Sequence, residues 1–136
     1  MSTNFSFRTS TSQEHNPVTV FHLRGQIDAS TYEQFETGAE QAYESGARSL
    51  LLDLSEVSYI SSAGLRALHN IYKLFCTNSG NESSQVVRKG LNDGTYKAQQ
   101  LKILNPNPEV FKILKMAGFD MYLDIFHNQQ EAIAAF

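Results

Sequence analysis

Leu50-Leu51-Leu52-Asp53-Leu54-Ser55-Glu56-Val57-Ser58-Tyr59-Ile60-Ser61-Ser62-Ala63-Gly64-Leu65 is the stretch whose pattern decides the architecture. Its first five residues form a short run, apolar except for Asp53. Such a run marks a strand of a parallel sheet that is covered on both faces. Ser55 to Ser62 reads as a tight connection. Beyond it, Leu65, Leu68, Tyr72 and Phe75 recur at helical spacing and form one apolar stripe.

Upstream, Phe5-Ser6-Phe7-Arg8 alternates apolar and polar residues as a half-exposed strand does, and Ser10 to Pro17 reads as a turn. Val18 to Leu23 is rich in β-branched and apolar residues and predicts a covered strand that halts at Gly25. Ser30 and Glu33 have capping-box spacing. After them Tyr32, Phe35, Ala39, Ala42 and Tyr43 lie on one helical face, with Gly46 as the stop.

Downstream, Thr77 to Gln100 is rich in Asn, Ser, Gly and Gln and reads as a polar insertion. Leu101 to Leu104 predicts a strand. Asn107-Pro108 supplies a cap and first turn for a third helix, with Val110, Phe111, Leu114 and Ala117 inward and Gly118 ending it. Met121 to Phe126 predicts a last strand. Asn128 with Glu131 then caps a short helix carrying Ala132, Ile133 and Phe136.

Strands alternating with helices predict an α/β fold with a mixed, mainly parallel sheet of about five strands under about four helices. The N-terminal pair, joined by too short a link for a crossover, is predicted antiparallel. The 136 residues suit one domain, 1–136, with a core over about 5–135 and the polar insertion at 77–100.

Composition narrows the function. Eleven basic and 14 acidic residues give a net charge of −3, and the basic residues do not cluster. The electrostatic term that drives binding to a phosphate backbone or to an anionic bilayer is therefore weak, which argues against nucleic acid and membrane as partners. One cysteine, Cys76, allows no internal disulfide and fits a reducing compartment. Met1 to Ser12 holds no apolar run of signal-peptide length, so the expected location is the cytoplasm.

The usual catalytic patterns fail. Ser62 precedes Gly64, but a hydrolase nucleophile elbow also needs glycine where Ile60 stands. His15, His22, His69 and His127 are scattered, with no triad order relative to Ser62 and no metal-ligand spacing. His22 and His69 read as packing residues. Asp53 and Glu56 read as solvated loop carboxylates. No phosphate-cradling glycine loop or dinucleotide fingerprint is present. The sequence therefore predicts no enzyme, no cofactor and no metal.

What remains is the junction Tyr59 to Leu65, where two hydroxyls sit at the start of a helix whose first backbone N–H groups lack intrahelical partners. One serine there can simply cap the helix. The position also stabilises an anion such as a phosphoserine, which carries about −1.5 to −2 charges.

Leu23-Arg24-Gly25-Gln26-Ile27-Asp28, the run Leu51 to Ser55 with Val57, Tyr59-Ile60-Ser61-Ser62-Ala63-Gly64-Leu65, and Phe111, Leu114, Gly118 and Phe119 together resemble the STAS domain. Within that family they are similar to the single-domain anti-sigma factor antagonists of bacteria. The resemblance covers most of Phe5 to Ala134. It implies partner switching, in which the bare serine form binds an anti-sigma factor that is also a serine protein kinase. That kinase phosphorylates the antagonist, and a serine phosphatase resets it. The acceptor that aligns is Ser62, with Ser61 as second candidate. Asp28 falls on a family aspartate near the acceptor. Asp28, Ser61, Ser62, Ala63, Gly64, Leu65 and Arg66 are the implied partner-binding residues.

Three departures stand out. Ser61 replaces an aspartate, Ala63 replaces a Ser/Thr, and the insertion at 77–100 stands where a shorter link is expected. The alternative reading is a STAS module that is never phosphorylated and serves as a scaffold or binds a small ligand.

Overall fold

The computed structural model describes residues 5–12, 17–77, 98–121 and 123–136. In chain order they form β1 (Ser6–Ser12), β2 (Val18–Ile27), α1 (Tyr32–Glu44), β3 (Leu50–Ile60), α2 (Ser62–Thr77) and β4 (Leu101–Leu104). There follow α3 (Pro108–Met116), a 3-10 turn (Phe119–Met121), β5 (Ile125–Phe126) and α4 (Gln129–Ala134). The five strands lie side by side in sequence order, with β1 antiparallel to β2 and every other pair parallel. This is the mixed, mainly parallel sheet with four helices that the pattern predicts.

Leu50, Leu51 and Leu52 at the centre have no exposed surface, which explains the unbroken apolar run. Leu50 and Leu52 face the main core, built with Phe21, Phe35, Leu68 and Phe75 under α1 and α2, and with Val110 and Leu114 of α3. Leu51 faces the other side, where Val18, Val20 and Leu104 meet Ala132 of α4 and, less deeply, Phe126, Ile133 and Phe136.

Several boundaries differ from the sequence reading. β1 continues to Ser12, so the turn read over Ser10 to Pro17 begins later, and residues 13–16 lie outside the described ones. β2 does not halt at Gly25. It passes through with Gly25 at φ +102°, and the pairing with β3 slips by a residue on either side. Glycine adopts that φ at little cost, so β2 runs on through Gly25 while β3 carries the extra residue at each shift, and Gly25 is not a stop.

Ser55 to Ile60 belongs to β3 and is not a loop. This outer half pairs with β2 alone, because β4 ends opposite Asp53. It therefore carries the mixed composition of a strand with one neighbour. The predicted strand at Met121 to Phe126 shrinks to Ile125–Phe126, since the 3-10 turn occupies its beginning. Ala117, expected inward, is exposed at the α3 C-cap. The insertion read over 77–100 has Thr77 as the last residue of α2 and Ala98 buried in the core, and residues 78–97 lie outside the described ones.

Asp53 is not a solvated loop carboxylate. It sits in β3, half-buried, and its Oδ2 accepts from His22 Nδ1 at 2.8 Å. Its Oδ1 accepts from the Ser55 N–H at 3.0 Å and the Ser55 hydroxyl at 2.7 Å. The second His22 nitrogen meets the Ser10 hydroxyl at 3.1 Å, so one row of hydrogen bonds ties β1, β2 and β3 together. Glu56 is exposed, as expected, 3.8 Å from Arg24. His22 is thus the satisfied histidine that the sequence suggested. His69 is instead exposed on α2, with its ring stacked near that of Tyr72.

Candidate functional site

The junction between β3 and α2 is organised around one carbonyl. Ile27 ends β2, and its oxygen accepts from the Ser61 N–H at 2.9 Å. A Cβ added to Gly64 would stand 2.8 Å from that same oxygen, 2.8 Å from Ile27 Cγ2 and 2.7 Å from Ile60 Cγ1. Real Cβ atoms do not approach so closely. Glycine at 64 therefore lets the first turn of α2 lie directly on the end of β2, and this contact fixes where the two serines stand.

The serines divide two tasks. The Ser61 hydroxyl accepts from the Gly64 N–H at 3.3 Å, and the Ser61 carbonyl accepts from the Leu65 N–H at 2.8 Å. Ser61 is thus the cap, with its side chain committed to an otherwise orphaned N–H. Ser62 is the first helical residue, is exposed, and has no hydrogen-bond partner for its hydroxyl among the described residues.

Asp28 follows Ile27 directly, so the Asp28 loop and the serine junction share one edge of the sheet. Thr31 shapes that loop. It is buried, its hydroxyl donates to the Gln26 carbonyl at 2.7 Å, and its oxygen accepts from the Asp28 N–H at 2.9 Å. The capping box read at Ser30 and Glu33 does not form. Thr31 occupies the α1 N-cap position without a side-chain cap bond. The Ser30 hydroxyl donates to Asp28 Oδ1 at 2.7 Å, and the Ser30 N–H to the same oxygen at 2.9 Å.

Those two Ser30 bonds, the hydroxyl's first, hold the Asp28 carboxyl below its ordinary range. Thr31 adds to the effect, and partial desolvation opposes it. Asp28 is therefore an anion at neutral pH, fixed in position beside the junction.

Among the remaining implied contact residues, Arg66 is exposed, Ala63 and Leu65 are half-buried, and Gly64 is buried. Gly64 acts as the packing point and presents no surface of its own. Two residues at this edge do more than the sequence reading gave them. Tyr59, 43 % exposed, stands three residues before Ser62 as an uncovered aromatic surface. Asn107 caps α3 by accepting from the Val110 N–H at 2.8 Å, and its Nδ2 donates to the Val57 carbonyl at 2.9 Å. That second bond clamps α3 to the unpaired side of outer β3. Val57 and Ile60 stand three apart among polar neighbours, a spacing set by the extra residues of β3, so no strand-like alternation marked this segment.

Among the described residues, no three His, Cys, Asp or Glu side chains group to hold a metal, and no helix is long and apolar enough to cross a membrane.

Known proteins share this fold. BtrV of Bordetella bronchiseptica, named as an anti-sigma factor antagonist, is 25% identical over 84% of this chain and 82% of its own length. An anti-sigma factor antagonist from Mycobacterium paratuberculosis superposes with a TM-score of 0.67 at 18% identity, over 96% of this chain and 93% of that one. Unphosphorylated SpoIIAA, also an anti-sigma factor antagonist, gives a TM-score of 0.67 at 19% identity, over 94% and 93%. The Bacillus protein of that name has also been solved in phosphorylated form and gives 0.62 at 16%, over 95% and 97%. These likenesses establish the fold. The STAS domain description matches residues 10–81, which hold β2, α1, β3, α2 and the whole serine junction. With more than half of its 136 residues matched, the chain belongs to the STAS domain family.

Proposed function

We propose that this protein is a partner-switching regulator of the anti-sigma factor antagonist type, acting by binding and controlled by phosphate on Ser62. The observation that carries this reading is the division of labour between neighbouring serines. Ser61 is committed to capping α2, which leaves the Ser62 hydroxyl exposed and unengaged at the helix start.

A phosphoryl group there would sit at the positive end of the α2 dipole, so the fold tolerates it. A partner closed over the bare hydroxyl would not. It would have to desolvate a group of about −2 charge already standing beside ionised Asp28. Such a cost, of roughly several kcal/mol, moves an affinity by orders of magnitude. The partner in this reading is an anti-sigma factor that is also a serine kinase, and a serine phosphatase restores the binding form. Its expected location is the cytoplasm. The relatives named for anti-sigma factor antagonism, and the existence of SpoIIAA structures with and without phosphate, support the assignment.

Phosphopeptide mapping of the protein from its native cells is the direct test, with phosphate expected on Ser62 and not on Ser61. In pull-downs from the same cells, Ser62→Ala should retain the partner and Ser62→Asp should lose it. Equal binding by both, with no phosphate at position 62, would replace this reading with a STAS scaffold that is never phosphorylated.

A further inference from the structure

Among the described residues, β1 is the long outer edge of the sheet, paired only with β2. Its seven residues, Ser-Phe-Arg-Thr-Ser-Thr-Ser, pair with β2 in one unbroken register from Ser6↔Arg24 to Ser12↔Val18, with no bulge. Every residue from Ser6 to Thr11 is exposed. Edges of this kind template further pairing, and proteins usually blunt them with proline, lysine, bulges or brevity. None of these is present within β1, and Arg8 is its only charge. The Ser10–His22–Asp53 row holds the strand down on the sheet, so the edge is an ordered template.

From this edge we infer that β1 pairs with β1 of a second copy, antiparallel and centred on Thr9, to make a ten-stranded sheet across a twofold axis. The register follows from the sequence. A twofold axis normal to the sheet keeps each residue on its own face, so the centre must fall on a residue. Centring on Arg8 would set two arginines directly opposite, which is destabilising. Centring on Ser10 would push Phe7 past the end of the partner strand. Thr9 alone pairs all seven residues: Ser6 with Ser12, Phe7 with Thr11, Arg8 with Ser10, and Thr9 with itself. Threonine pairs suit this position, since β-branched residues favour strands and their side chains pack across the ladder.

The face toward α1 is self-complementary as well. A groove runs beside the edge, lined by Thr9, Thr11, Gln41, Ala42 and Ser45. Phe7 flanks it and is 39 % exposed despite its edge contact with Phe21. In the Thr9 register the copy's Phe7 stands against Thr11 at the mouth of this groove, and the reverse contact is made by symmetry. The interface is one strand and one aromatic per copy, at the small end for a specific contact, so dissociation on the order of 10–100 μM is expected. The twofold axis reverses strand direction, so the Ser62 junctions point out from opposite ends of the dimer and both stay open to partners.

The test uses the full chain in analytical ultracentrifugation. The wild-type protein should shift toward twice the monomer mass across that concentration range. Thr9→Lys and Thr9→Glu should each remain monomeric, losing affinity by at least about tenfold, while their mixture recovers a heterodimer. Thr9 lies exposed on an edge, so both variants should keep the wild-type circular dichroism.

Oxidation gives the register. Paired Cα atoms lie about 4.5–5.5 Å apart, within disulfide reach, and the native Cys76 is buried. Thr9→Cys should cross-link to itself. Ser12→Cys alone should not, because its own copy would lie roughly 20 Å away along the strand. A wild-type protein that stays monomeric throughout the range overturns the proposal. So does a dimer indifferent to charge at position 9, which would place the contact elsewhere, and so does capture of a foreign strand by β1 without self-association.

Discussion

Gly64 lies so close to Ile27 that a single added carbon would fall 2.8 Å from the Ile27 carbonyl oxygen. That oxygen already receives the Ser61 N–H, so it cannot withdraw without loosening the junction. Gly64→Ala should therefore destabilise the protein by about 1–3 kcal/mol, the usual cost of overpacking. Urea unfolding followed by circular dichroism measures this. A neutral result would mean that α2 slides freely on β2, against the packing described here.

Ser61 and Ser62 should separate in their effects. Ser61→Ala removes the cap on Gly64 N–H and should cost about 1 kcal/mol. Ser62→Ala removes an exposed hydroxyl with no described partner and should stay within roughly 0.5 kcal/mol of wild type. Denaturation midpoints of the two variants decide the matter, and a reversed order would assign the cap to the wrong serine.

Asp28 predicts an acid-side dependence with a definite sign. Its folded-state carboxyl is held below the unfolded value, chiefly by the Ser30 hydroxyl and N–H, so the folded state favours the ion. The resulting stabilisation is present above the ordinary carboxylate range and fades as pH falls through the depressed folded value. Carbon-detected NMR titration should find the Asp28 midpoint below that of an unstructured aspartate. Ser30→Ala should raise it, and Thr31→Val should raise it by less. An unmoved midpoint in Ser30→Ala would contradict the hydrogen-bond origin.

Asn107 does two jobs with one amide. Asn107→Ala loses the Val110 cap and leaves the Val57 carbonyl without its donor, an expected cost of about 2 kcal/mol. Asn107→Ser keeps a capping oxygen and should recover roughly half of it. Thermal melts of the three proteins give the order, and equal midpoints for Ala and Ser would show that the cap contributes nothing.

Sequence patterns disclosed most where one force dominates. Leu101–Leu104 and Leu50–Leu54 are visible because both faces are buried, and Asn107-Pro108 and Asn128 are visible because capping chemistry is local. Outer β3 was hidden because a strand with one neighbour has no reason to be continuously apolar. Gly25 was misread because a strand that continues at positive φ and a strand that stops call for the same residue. At the site, the resemblance to the family singled out Ser62, but no pattern could show which of two adjacent serines caps the helix. That depends on Gly64 reaching Ile27, 37 positions away in sequence. Ser30 and Glu33 were assigned to a capping box because the spacing allows it. Asp28 competes successfully for the Ser30 hydroxyl, and it does so only once β2 has turned.

The far border of the sheet is β5, and it is two residues long. Edge-on growth into a filament needs two adhesive borders per molecule, one to give and one to receive. A ladder of two residues offers too few backbone groups to receive a seven-residue strand. Whatever attaches to the β1 side, a two-residue β5 is too short to pass the pairing on, so association through β1 should stop at finite particles.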